Sequence, residues 1–124
     1  MELHEVFKTN TCKFQLFVLS LPQNIRIMNK KSVLDRLATL KMPLMAVGVS
    51  QLGLFGSTVR GENTRKSDID ILIDFSEGQE TYFNFLTACN ILQDAFGKIK
   101  LDVVTKKGLS PYIGETILNE VEYV

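Results

Sequence analysis

Gly56-Ser57-Thr58-Val59-Arg60-Gly61-Glu62-Asn63-Thr64-Arg65-Lys66-Ser67-Asp68-Ile69-Asp70 is the stretch on which the reading of this chain turns. The apolar pattern before it predicts a strand from Ser50 to Phe55 that runs directly into Gly56-Ser57. A second strand is expected from Ser67 to Phe75, with two aspartates at its start. The form Gly-Ser-x2-Arg-Gly-x5-Ser-Asp-x-Asp fixes seven positions. At average residue frequencies a chance match is on the order of one in 10⁸ per starting position. The pattern therefore asks for a chemical explanation.

Asp68 and Asp70 are two apart on the expected strand, so both side chains leave the same face. Carboxylates crowded on one face repel each other, and a divalent cation offsets that repulsion most directly. The plainer alternative has Ser67-Asp68 capping a turn and Asp70 solvated; the Gly-Ser turn at this spacing argues against it. A two-metal site usually draws a third carboxylate from another strand. Asp102, within Lys100-Leu101-Asp102-Val103-Val104, is the candidate, because a charge in an apolar run is expensive without a partner. Its alternative is an edge strand with one outward polar residue. Asp74 shares a face with Asp70 but lies about 13 Å further along at strand rise, which marks it as structural.

Gly56 removes a side chain where a phosphate would approach the backbone. Ser57 can cap the following helix and offer its hydroxyl and amide to an anion. Arg60, one turn on, can reach phosphate or pair with a neighbouring carboxylate, and the sequence leaves both open. Lys106 and Lys107 read as solvated surface charges, and the single histidine, His4, is assigned no role.

At 124 residues the chain is expected to form one domain with helices packed on a sheet. Lys+Arg and Asp+Glu balance at 14 each, so no global field draws the protein to nucleic acid or an acidic membrane. Any anionic ligand must be held by local groups. Cys12 and Cys89 lack metal-ligand spacing and read as free thiols of a reducing compartment. The apolar stretch Phe14 to Leu21 is too short to span a bilayer and follows no basic start, so a cytoplasmic protein is expected.

Residues 1–27 carry no clear periodicity and read as an N-terminal extension, either disordered or preceding the true start at Met28. Residues 28–124 form the expected domain. Val33, Leu34, Leu37 and Leu40 predict a helix closing at Lys41, before Met42-Pro43, with a second short helix or turn leading to Gly48. After the first strand come a short helix from Ser57, the strand Ser67–Phe75, a helix Glu80–Phe96, a strand Lys98–Thr105 and a helix Pro111–Glu120. Tyr82, Phe85, Leu86, Cys89, Leu92 and Phe96 give the long helix one apolar face. The alternation indicates an α/β fold around a small sheet.

These residues resemble the minimal nucleotidyltransferases (MNT) of the DNA polymerase β superfamily, specifically the MNT partner of HEPN–MNT toxin–antitoxin pairs. The resemblance rests on Leu52-Gly53-Leu54-Phe55-Gly56-Ser57, Arg60-Gly61, Ser67-Asp68-Ile69-Asp70, Leu101-Asp102-Val103-Val104 and the closing Ile117-Leu118-Asn119-Glu120-Val121-Glu122-Tyr123-Val124. It implies a small mixed β-sheet flanked by helices, carrying an ATP- and Mg²⁺-dependent site. Gly56 and Ser57 then correspond to the family's nucleotide-holding pair, with Arg60 the further nucleotide-binding candidate beside them. Asp68, Asp70 and Asp102 correspond to the catalytic and metal-binding carboxylates, which would hold two Mg²⁺ ions. The resemblance further implies an antitoxin that transfers AMP to a tyrosine of a HEPN ribonuclease, with no direct nucleic-acid contact. A domain this short supplies half a cleft, which favours a protein acceptor completing the other wall. Two other readings stand beside it: a non-catalytic antitoxin that covers its partner, and transfer to a different acceptor.

Overall fold

The computed structural model describes residues 28–64 and 66–124; the N-terminal extension, with His4, Cys12 and Phe14–Leu21, lies outside the described residues. Asn29 caps the first helix, α1 (Lys30–Ala46), its side-chain oxygen accepting the Ser32 N–H at 2.8 Å. The expected break before Pro43 does not occur, and one helix runs through it. Proline removes one helical donor, but Thr39, whose carbonyl loses it, is exposed, while Leu44 in the last turn is fully buried. Packing of Leu44 outweighs the missing bond.

Among the described residues four strands form one mixed sheet: β1 (Val49–Phe55), β2 (Ile69–Phe75), β3 (Leu101–Thr105) and β4 (Glu122–Tyr123), in the order β3-β2-β1-β4. β1 runs antiparallel to β2 and β4, whereas β2 and β3 are parallel. That parallel pair needs a crossover, supplied by α3 (Tyr82–Phe96), which Thr81 caps through the Asn84 N–H. The short α2 (Ser57–Arg60) follows β1, and α4 (Pro111–Glu120) follows a 3₁₀ turn at Lys106–Gly108, where Lys106 and Lys107 are exposed.

A register shift between Val49 and Gln51 changes which side chains of β1 face inward. Val49, Leu52 and Leu54 thereby all join the core, which strict alternation from Val49 would forbid. They meet Val33, Leu37 and Leu44 of α1, Ile69, Ile71 and Ile73 of β2, and Ala88, Leu92 and Phe96 of α3. Each buried Leu, Ile or Phe contributes about 1.5–3 kcal/mol relative to exposure, so the face bearing these residues fixes the sheet; the other face carries buried Phe55 and Leu72 beside Asp70. The inward stripe of α3 differs from the expected one: Tyr82 and Leu86 are exposed, and Phe85, Ala88, Leu92 and Phe96 turn inward. Cys89 is a half-buried free thiol whose pKa burial raises.

The last strand was not foreseen, because two residues carry no periodic signal. Glu122 and Tyr123 pair with Leu54 and Gly53, and the Val124 N–H donates to Leu52 O at 2.9 Å. Gly53 makes room for this segment: a Cβ there would stand 2.6 Å from Val121 Cγ2. Lys30 Nζ lies 3.0 Å from Glu122 Oε2, tying the start of α1 to the same strand. Among the described residues no helix is long and apolar enough to cross a membrane.

Candidate functional site

β1 ends at the central strand pair, where its last residue, Phe55, sits opposite Asp70 of β2. Asp70 in turn pairs in register with Asp102 of β3. Residues directly opposite in a sheet share a face, so Phe55, Asp70 and Asp102 form a row across three strands on the side away from the core. Gly56 then turns the chain at φ 81°, ψ −155°, a backbone conformation that side chains disfavour. A Cβ here would also overlap the Asp70 carboxylate. Gly56 is thus required twice, by the turn and by the approach of Asp70.

Asp68 precedes β2 instead of lying on it, a correction to the strand expected from Ser67. The loop holding it is closed by Thr64 and Ser67: the Thr64 N–H donates to Ser67 Oγ at 2.9 Å and the Ser67 N–H to Thr64 O at 3.0 Å. The Asp68 carboxylate stands 3.9 Å from Lys100 Nζ. Asp102 is exposed on the edge strand, so burial cost was the wrong reason for singling it out. Its register with Asp70 is the stronger reason. Asp74, opposite Gln51 at the other end of β2, is remote from this row as expected.

The charge at this end of the sheet is unbalanced. Burial first, then Asp102 and Asp68, push the Asp70 carboxyl up to about 6, while Arg60 pulls it down. Among the described residues no three aspartate, glutamate, histidine or cysteine side chains are gathered in metal-holding geometry. The donor set nonetheless suits a hard divalent cation: oxygen ligands only, carrying surplus negative charge that raises Asp70's proton affinity. Asp70 and Asp102, in register, and Asp68 in the loop before β2 supply those oxygens.

The Gly56 N–H, expected to be open to a phosphate, donates to Glu120 Oε1 at 2.6 Å. Arg60 is held by two carboxylates: its Nε donates to Glu62 Oε1 at 2.7 Å, and its Nη1 to Glu120 Oε2 at 2.8 Å and Oε1 at 3.0 Å. The hydrogen bond to Glu62, then that to Glu120, raises the guanidinium pKa further. Ser57, half-buried at the start of α2, keeps its hydroxyl without a partner among the described residues. Glu120 was missed by the sequence reading. One signal was present: an acid in the last turn of a helix opposes the macrodipole, so Glu120 needed a cationic or N–H partner elsewhere.

The profile of the Nucleotidyltransferase domain matches residues 30–124. The protein adenylyltransferase MntA of Thermococcus cleftensis is 42% identical over 77 residues, covering 62% of this chain and 76% of that protein. A Methanocaldococcus jannaschii protein whose name assigns it the same activity is 38% identical over 78 residues, covering 61% of this chain and 77% of its own. Among solved structures, a minimal nucleotidyltransferase superposes with TM-score 0.67 at 28% identity, covering 77% of this chain and 95% of that one. A chain of a toxin–antitoxin crystal structure with AMP-PNP shares the fold at TM-score 0.59 and 19% identity, covering 77% of this chain and 72% of its own.

Proposed function

The chain belongs to the nucleotidyltransferase domain family, and on that premise we propose that it transfers AMP from ATP to a tyrosine hydroxyl of a HEPN ribonuclease toxin, acting as the antitoxin of that pair. The observation that carries the reading is the contact of the Gly56 turn with Asp70, itself in register with Asp102. On this reading the glycine turn is the phosphate-binding turn, and it stands beside Asp70 and Asp102. Relatives named for adenylyl transfer to protein support the choice of donor and acceptor class.

Ser57 would hold the triphosphate through its hydroxyl and amide, and Arg60 would face the same charge. Asp68, Asp70 and Asp102 would hold two Mg²⁺ ions, which when bound neutralise the α-phosphate and the departing pyrophosphate. The Asp102 carboxylate, exposed at the sheet edge, is open to an incoming hydroxyl and would accept its proton as the oxygen attacks the α-phosphorus. The new O–P bond forms as the bond to pyrophosphate breaks. The partner would supply the second wall of the cleft.

The reading is tested by following pyrophosphate release from Mg·ATP with and without the purified partner. Release that requires both proteins is expected. A partner inhibited without ATP would favour the covering antitoxin instead.

A further inference from the structure

The C-terminal segment reaches the nucleotide-binding turn through one side chain. Glu120 is the last residue of α4, and the two residues of β4 that follow Val121 pair with Gly53 and Leu54 of β1. Pairing so close to the end of β1 brings Glu120 back to the Gly56 turn. Its Oε1 accepts from the Gly56 N–H at 2.6 Å and from Arg60 Nη1 at 3.0 Å, and its Oε2 from Arg60 Nη1 at 2.8 Å. The carboxylate is mostly buried, with 23% of the side chain exposed. Hydrogen bonds to a charged group are among the stronger ones in proteins, and partial burial limits their screening by solvent.

Two roles are open to an anion in this position. It could occupy the place of a phosphate and compete with it, or it could hold the turn and the arginine in place for one. The guanidinium decides between them. Glu62 takes Nε and Glu120 takes Nη1, whose donors lie on opposite sides of the guanidinium, so the two carboxylates hold it from both sides. Nη2 makes no hydrogen bond among the described residues, and the side chain is about half exposed. An arginine held from both sides, with Nη2 left free between them, is oriented toward a ligand, as outer carboxylates orient the ligands of a metal.

We infer that Glu120 is a positioning residue, which locks the Gly56 backbone and aims Arg60 at the triphosphate. The inference rests on the functional reading above, since it concerns the same site. It also assigns Gly56 a different part: its N–H is spent on the clamp, and Ser57 carries the backbone and hydroxyl contacts to phosphate.

The test uses the full chain and four variants: Glu120→Gln, Glu120→Ala, Arg60→Ala, and the double Arg60→Ala/Glu120→Ala. In the nucleotide-free protein, amide exchange at Gly56 should quicken about tenfold in Glu120→Ala, and less in Glu120→Gln, which keeps an acceptor. By calorimetry, Glu120→Ala and Arg60→Ala should each weaken Mg·ATP binding about tenfold. The double variant should be little weaker than Arg60→Ala alone, because one residue acts through the other. Glu120→Gln serves if Glu120→Ala does not fold, with the same ordering expected. Tighter Mg·ATP binding in either Glu120 variant would mean that the carboxylate competes with phosphate, and would overturn the inference. So would additive losses in the double variant, or an unchanged Gly56 amide. Wild-type protein that binds no Mg·ATP would overturn the functional reading and this inference with it. Wild-type binding left unaltered by the Glu120 variants would overturn the inference alone.

Discussion

A side chain at Gly56 would overlap the carboxylate of Asp70. The turn expected to receive phosphate and the aspartate expected to hold metal are therefore one packed unit, and neither can move without the other. Gly56→Ala should destabilise the protein by about 1–3 kcal/mol, from its positive φ and the collision with Asp70 together. Urea denaturation measures it; a change within a few tenths of a kcal/mol would mean that the turn relaxes freely.

Asp70 should make the metal-free protein less stable as pH rises. Its carboxyl, ordinarily near 3.8, is pushed up to about 6 in the folded state. The folded protein thus holds a proton that the unfolded chain releases. The resulting stabilisation is complete below about pH 4 and is lost as pH rises through about 6. Asp70→Asn should remove this slope and raise stability at pH 7, which thermal melts between pH 4 and 7 in the presence of a chelator would show.

Asp68→Asn/Asp70→Asn keeps the shapes but removes two negative charges. Folding should persist, and Mg²⁺-dependent ATP binding should fall about a hundredfold or more, since even the outer partners of a metal site are worth about 10–100-fold. Calorimetric titration of Mg·ATP measures the loss. Wild-type affinity in the double variant would end the metal-ligand reading.

Asp102→Asn should separate binding from chemistry. As the proposed proton acceptor on the edge strand, Asp102 should matter less for Mg·ATP affinity than Asp68, yet its loss should lower transfer by about 10²–10⁴-fold. Single-turnover transfer by this variant at the wild-type rate would return Asp102 to a structural role.

Much of this was legible in the chain because local chemistry and global fold coincide there. Residues 50–55 alternate poorly, yet Gly56-Ser57 after an apolar run marks a strand exit, and the strand was found at Val49–Phe55. The spacing to Asp70 survives because the antiparallel β1–β2 pair returns it opposite Phe55. The misreadings have one cause, tertiary contact overriding local signal. Buried Leu44 carries α1 through Pro43. The sheet edge exposes Asp102 within an apolar run. Pairing of Glu122 and Tyr123 with β1 brings Glu120 to Gly56, a contact between residues far apart in sequence that no periodicity records.

Intact-mass spectrometry of the partner tests the central claim most directly. The proposed HEPN partner, purified, would be incubated with this protein and Mg·ATP, then separated and weighed. The account predicts a mass increase of one or more whole AMP units that persists after separation, needs ATP, and disappears with Asp102→Asn. A partner that emerges unmodified, yet was fully inhibited at one-to-one stoichiometry without ATP, would contradict it.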